Sequence, residues 1–373
     1  MYYDSKDAGE IARGIVALER KVDEIFMIFV AEQNAGEVPV LIEKLNEAGV
    51  PFFGAVFPRL IVGNDNRTEG VLVRKVPTAF PPVLIKNIRS KSYDLDKIEG
   101  LENLSNKGNL MILVDGLTSH VGRFLTSVYN HFGNETQFMG AGAGYLTLEQ
   151  GPCLFNKDGF FEDAAILCQL TTGCSLGVRH GWDPVFGPLV ANKTEANVIK
   201  QLNWRPAIDV YKEVVSKESG LCFDSTSFGE IAKGFPFGMD RSEGESVVRD
   251  PIAVDEDGGL ICLGEVPEHS VLTILHGNNE SLINAAGKAA SDTNPKPSVD
   301  SDALIFDCIT RVMFLENDYS LELDSVISTI NEKREGRPAE VYGALTMGEI
   351  SSPGKGFLEL YNKTIVVALL DDE

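Results

Sequence analysis

The chain has 373 residues, 43% hydrophobic and 24% charged, proportions of a soluble globular protein and a length beyond one ordinary core, so two domains are expected. Its formal charge of −22, from 33 Lys and Arg against 55 Asp and Glu, excludes a sequence-independent grip on nucleic acid or an anionic membrane, which needs clustered cations. No apolar run reaches the ~18 to 20 residues of a membrane helix, the start Met1-Tyr2-Tyr3-Asp4 is unlike a signal peptide, and the six cysteines form no Cys-x-x-Cys pair, so a cytoplasmic protein with reduced thiols is expected.

In chain order, residues 7–20 read as an opening helix, with Asp7 and Glu10 spaced to cap it and Ile11, Ile15 and Leu18 on one face. An apolar run at 25–30 predicts a buried strand, and Val38, Leu41, Ile42 and Leu45 form one helical stripe. Residues 76–109, with Pro77, Pro81 and Pro82, read as a connector holding one strand near 83–85. A second strand-helix pair follows, its helix ending at Gly133, and Asp158-Gly159 predicts a hairpin. Trp204-Arg205-Pro206-Ala207 opens a helix, and the boundary between domains 1–204 and 205–373 is placed there. Residues 217–246 read as an irregular surface excursion, 247–252 and 260–263 as a hairpin, 271–275 as a strand before a helix at 282–290, and 291–300 as a polar loop.

One pattern recurs three times. Phe53-Gly54-Ala55, Met139-Gly140-Ala141 and Tyr342-Gly343-Ala344 each follow an apolar run and a helical stripe, and each precedes a second apolar run. The first runs lie at 25–30, 110–114 and 304–306, and the closing runs at 71–73, 164–167 and 364–368. The fold class is therefore α/β: a two-domain protein of mixed β-sheets flanked by helices, built from repeated strand-helix-strand-strand units. The strand and helix at 271–290 are read as a degenerate fourth unit.

With these residues in order, the chain resembles the FIST family (F-box and intracellular signal transduction). Matching segments are Asp115-Gly116-Leu117, the Gly-Ala-Gly run at 140–142, Arg179-His180-Gly181-Trp182, Arg205-Pro206-Ala207-Ile208-Asp209-Val210-Tyr211, Phe306-Asp307-Cys308-Ile309-Thr310-Arg311, and 342–350 with Gly348-Glu349. The chain departs from the family pattern at Tyr145, where an acidic residue is usual, and at Thr310, where a glycine is usual. The resemblance implies a FIST N-like part followed by a FIST C-like part, and a cytoplasmic sensor for a small ligand. It also implies a histidine kinase or cyclic-dinucleotide enzyme as partner, and haem as the ligand in a subset.

The candidate chemistry follows from the same segments. Gly173-Cys174-Ser175-Leu176-Gly177 matches the Gly-x-Ser-x-Gly elbow, which makes a serine hydrolase at Ser175, or a cysteine hydrolase at Cys308, the enzymatic alternative; the elbow needs a strand turning into a helix, whereas Gly181 and Pro184 follow. Gly140 and Gly142 lack the lysine of a phosphate loop, which leaves close packing or space for a ligand. Arg179, His180 and Trp182 combine a cation, an imidazole and a ring, with His180 the candidate haem ligand and His120 and His276 its rivals. Cys308, Arg311, Gly348 and Glu349 are expected at neighbouring strand ends, where Arg311 clamps a carboxylate and Glu349 an amine of an amino-acid-like ligand, or the two form a buried pair. A third reading is a protein-binding scaffold without a ligand.

Overall fold

The computed structural model describes residues 1–90, 93–223, 225–240, 245–293, 301–334, 337–352 and 357–371. Each of the three Gly-Ala units builds the centre of a six-stranded sheet. In unit one, Glu24–Ala31 and Phe52–Phe57 pair in parallel, and Val71–Pro77 runs antiparallel beside the first. Unit two repeats this with Gly108–Asp115, Thr136–Ala143 and Ala164–Leu170. Unit three repeats it with Asp302–Cys308, Val341–Thr346 and Ile365–Leu370.

The register also repeats. Gly54, Gly140 and Gly343 stand opposite Ile28, Ile112 and Ile305 on the parallel partner. A Cβ on these glycines would lie 2.1, 1.8 and 1.8 Å from the carbonyl oxygen of that isoleucine. The recurring glycine is thus required by the approach of two backbones, and of the two readings of Gly140 the structure shows close packing.

The units are joined by exchange of hairpins. The free edge of unit one's parallel pair is taken by Leu154–Asn156, a strand of unit two. The corresponding edge in unit two is taken by Glu349–Ser351 of unit three, and that in unit three by Arg59–Val62 of unit one. Each unit gives one hairpin and receives one, and the exchange closes on itself. Phe29, Phe57, Met111, Met139, Phe306 and Ala344 share the common core, with the ring centroids of Phe29 and Phe57 5.0 Å apart and those of Phe29 and Phe306 5.9 Å apart.

Helices cover the outer faces. The opening helix is Ala8–Val16, capped as expected by Asp7, whose carboxylate accepts from the Glu10 amide. Val121–Phe132 buries Phe124, Leu125 and Val128 on unit two, and Asn279–Asp292 lies with Tyr319–Glu332 over unit three. A fourth sheet of eight strands includes Asp183–Val190, Val198–Leu202, Val247–Val254, Leu260–Leu263 and Val271–His276.

Three readings of the sequence change. Within 217–246, the strand Phe237–Met239 is interior, with Phe237 and Met239 in the core, and the helix Phe228–Ala232 buries Ile231 and Ala232 beside it. The strand Val271–His276 belongs to the eight-stranded sheet while helix Asn279–Asp292 packs on unit three, so the two do not form a fourth unit. Most of the loop expected at 291–300 lies outside the described residues, and the helix Asn279–Asp292 extends into its start.

Candidate functional site

The ends of unit three's parallel strands open on a cavity of about 710 Å³, within the range of small-molecule sites. Cys308 and Thr346 form its floor, the loop and first helical turn at 116–123 one wall, and Arg249, Cys262, Leu263 and Glu265 of the eight-stranded sheet another. Leu360 and Asn362 close the side. A depression of similar volume, about 730 Å³, lies between Ser5, Asp7, Arg13 and Lys44. It is a more open groove lined mainly by solvated side chains, so the cavity at the strand ends is the candidate site.

Local chemistry fixes each wall. Asp115 ends its strand and accepts from the Leu117 amide at 3.0 Å and the Asp163 amide at 2.8 Å. Thr118 donates to Asp163 at 2.8 Å, so the loop is held on both sides before the helix begins. His120, with φ of 66°, precedes that helix without capping it. Its Nδ1 instead meets Glu265 Oε1 at 2.7 Å across the cavity mouth. Arg249, 6% exposed, donates to the carbonyls of Glu265, Val248 and Leu360 at 2.9, 3.0 and 3.1 Å. Asn362 donates to the carbonyl of Leu263 at 3.1 Å.

The floor is polar. Cys308 Sγ lies 3.1 Å from Thr310 Oγ1, and Thr346 donates to Glu349 at 2.5 Å. Glu349 sits behind Thr346, fully buried, with its second oxygen accepting from the Thr364 amide at 3.3 Å. Burial pushes its carboxyl up to about 8, against the hydrogen bonds that favour ionisation. Burial, and then the nearby Glu349, likewise push the Cys308 thiol up.

Of the residues singled out in the sequence, Cys308 lines this cavity. Gly140, Gly142, Gly348 and Glu349 meet instead at the exchanged hairpin: Glu349 pairs with Ala141, and the Gly142 amide donates to the Gly348 carbonyl at 2.8 Å. Arg179 is held by Glu245 and Asp292 at 2.5 and 2.7 Å. Trp182 is buried and donates its indole N–H to the Lys363 carbonyl at 3.2 Å.

His180 does not fit haem iron. Its Nδ1 accepts from the Trp182 amide at 2.9 Å, and its Nε2 is shared by Ser246 at 3.0 Å and Glu245 at 2.9 Å, so both ring nitrogens are engaged. His276 Nδ1 lies 3.0 Å from the Gly234 carbonyl, while His120 is the rival that lines the cavity.

Arg311 is also internal. It is fully buried, hydrogen-bonded to Glu322 and to the carbonyls of His180, Leu282 and Lys363. Asp307 Oδ1 lies 3.2 Å from its Nε without the alignment of a hydrogen bond. The buried Arg–Glu pair foreseen in the sequence exists, with Glu322 rather than Glu349 as the acid.

The serine elbow is not formed. Ser175 lies inside the strand Cys174–Arg179, opposite Leu369, and no helix follows it. Cys308 has a threonine rather than a histidine beside its sulfur, and a raised thiol is the reverse of what a nucleophile needs.

Of the cavity's polar residues the sequence points to His120 only as a rival iron ligand, and it gives no motif for Glu265, Thr346 or Asn362. The one signal was Arg249-Asp250 inside an otherwise apolar run, since buried charges in a strand need a reason.

The arrangement is an α/β fold with an interface cavity that has a polar floor. The chain belongs to the FIST family, with a FIST N domain matched over residues 24–205 and a FIST C domain over 207–352. FIST domains are associated with signal transduction and small-ligand sensing. No curated protein matches the chain. No helix of the described residues is long and apolar enough to cross a membrane.

Proposed function

We propose that this protein is a cytoplasmic sensor that binds a small carboxylate metabolite, amino-acid-like in its acid group, in the cavity between its FIST N and FIST C parts. The observation that carries this reading is the position of the cavity. One wall is the first turn of a FIST N helix, and the opposite wall is the FIST C sheet, bridged at the mouth by His120 and Glu265.

The floor supplies the coupling. Thr346 ends unit three's own strand Val341–Thr346 and donates to Glu349, the first residue of the hairpin that unit three gives to unit two. A ligand that favours one position of Thr346 therefore acts on the pairing of Glu349–Ser351 with Thr136–Ala143. Output passes to a separate protein, a histidine kinase or a cyclic-dinucleotide enzyme.

Native mass spectrometry of the purified protein tests the reading, together with Ile252→Trp, which fills the cavity from a partly exposed position. A small-molecule adduct present in the parent and lost in the variant is expected. An adduct retained at full occupancy in Ile252→Trp would place the ligand elsewhere. A Soret band after incubation with haem that survives His180→Ala would agree with the engagement of both His180 nitrogens; loss of the band would contradict it.

A further inference from the structure

The donors and acceptors that line the cavity define its ligand further, on the reading that the cavity is the ligand site. Four of its polar lining residues, Arg249, Cys308, Thr346 and Asn362, are buried. Their donors are largely committed inside the protein.

Asn362, 3% exposed, uses its amide hydrogens on the carbonyls of Val248 and Leu263, at 3.4 and 3.1 Å. The opposite orientation would set the amide oxygen against those two carbonyls, so the hydrogen bonds fix which atom is which. Oδ1 is left without a donor among the described residues. Thr346 has a single hydroxyl proton and two acceptors within reach, Glu349 at 2.5 Å and the Asp307 carbonyl at 3.3 Å. Whichever takes the proton, the hydroxyl can only accept from a ligand.

The other groups do not reverse this balance. Cys308 is paired with Thr310 at 3.1 Å, and a thiol is a weak donor. Arg249 spends Nε and Nη1 on the carbonyls of Glu265, Val248 and Leu360 and makes a further interaction, so its guanidinium is held as part of the wall. Glu265 and half-buried Glu359 add carboxylate oxygens, which accept, while the cation Arg123 is exposed.

We propose that the floor and side of the cavity read a hydrogen-bond donor on the ligand, a hydroxyl or N–H group, with Asn362 Oδ1 as the main acceptor and Thr346 as the second. The ligand is then a carboxylate that also carries a donor on its body. A ligand without one leaves Asn362 Oδ1 buried and unmatched, at the full cost of its desolvation.

The test compares three probes by titration calorimetry on the full chain: 4-hydroxyphenylacetate, which donates and accepts, 4-methoxyphenylacetate, which at that position only accepts, and 4-methylphenylacetate, which does neither. The hydroxyl probe is expected to bind at least about tenfold more tightly than the other two, a difference of about 1.4 kcal/mol. Asn362→Ala should bring that ratio close to one, and Asn362→Asp, which keeps an acceptor and loses the amide, should retain it. Thermal melts show which variants fold. Thr346→Val, which removes the second acceptor at nearly constant shape, should lower the ratio and keeps the test open if the alanine is not tolerated. Ile252→Trp should weaken all three probes.

Equal binding of the three probes, lost in Ile252→Trp, would overturn the donor proposal and leave the cavity as a binding site. A methoxy probe as tight as the hydroxyl probe would overturn it too, since accepting would then suffice. So would a hydroxyl preference that survives both Asn362→Ala and Thr346→Val. If no probe binds with a Kd below about 1 mM, the cavity reading itself falls.

Discussion

Replacing Arg311 by methionine separates a ligand clamp from a structural ion. In the native protein the guanidinium is fully buried against Glu322 and Asp307, and it also holds the carbonyls of His180, Leu282 and Lys363. Breaking a buried pair from one side costs about 3 to 5 kcal/mol because the remaining charge has no partner. The stranded carbonyls add about 1 kcal/mol or more. The expected loss is therefore about 5 kcal/mol, a large share of an ordinary domain's stability.

The loss should depend on pH in a stated direction. Burial already holds the carboxyls of Asp307 and Glu322 above their ordinary values of 3.8 and 4.5. Without the cation both rise further, so the folded variant keeps protons that the unfolded chain has released. Its stability then falls as pH climbs above about 4. Urea unfolding at pH 5 and pH 8 should show a smaller difference from the parent at pH 5, and Glu322→Gln added to the variant should restore part of it. A loss below about 1 kcal/mol, or one identical at both pH values, would refute the structural role.

Three further outcomes are expected. Gly140→Ala and Gly343→Ala place a methyl 1.8 Å from a backbone oxygen that cannot swing away, so each should lose about 3 kcal/mol or more in thermal or urea melts; near-native stability would mean that the strands do not approach so closely. Glu349, pushed up to about 8 from an ordinary 4.5 by burial, makes the fold lose stability as pH rises from about 4.5 to about 8 and not beyond. Glu349→Gln should remove that slope, and parallel curves for parent and variant would show that Glu349 titrates normally. Iodoacetamide should label exposed Cys222 well before Cys308, which is 2% exposed with a raised thiol; mass spectrometry showing Cys308 modified first would reopen the cysteine-nucleophile reading.

The three units were legible because each depends on local rules. A parallel strand pair buried on both faces leaves apolar runs, its crossover helix leaves a stripe at helical spacing, and the glycine opposite Ile28, Ile112 or Ile305 leaves no alternative side chain. Partner choice leaves no such trace. The periodicity of 59–62 or 349–351 identifies a strand without saying that it crosses to another unit's sheet, because an edge strand offers the same amides and carbonyls to any neighbour.

The site was hidden for the same reason. The strand ends that carry Cys308 and Thr346 line the cavity. The candidates His180, Arg311 and Glu349 lie on the side of those ends that faces the interior, where an ion such as Arg311 finds Glu322 on the next helix. The open side is created by residues 116–123 and 249–265, brought there by exchange and by the eight-stranded sheet. Arg249 reads in one dimension as a charge in the wrong place within a strand. It is intelligible only once the carbonyls of Glu265 and Leu360 and the cavity beside them are in view. A closed exchange also bears on signalling, because a hairpin shared by two units cannot shift in one sheet without altering the edge of the next. On the function proposed above, a ligand touching Thr346 would act on a joint between FIST C and FIST N, so the proposed coupling lies at Glu349–Ser351 rather than in a hinge between separate domains.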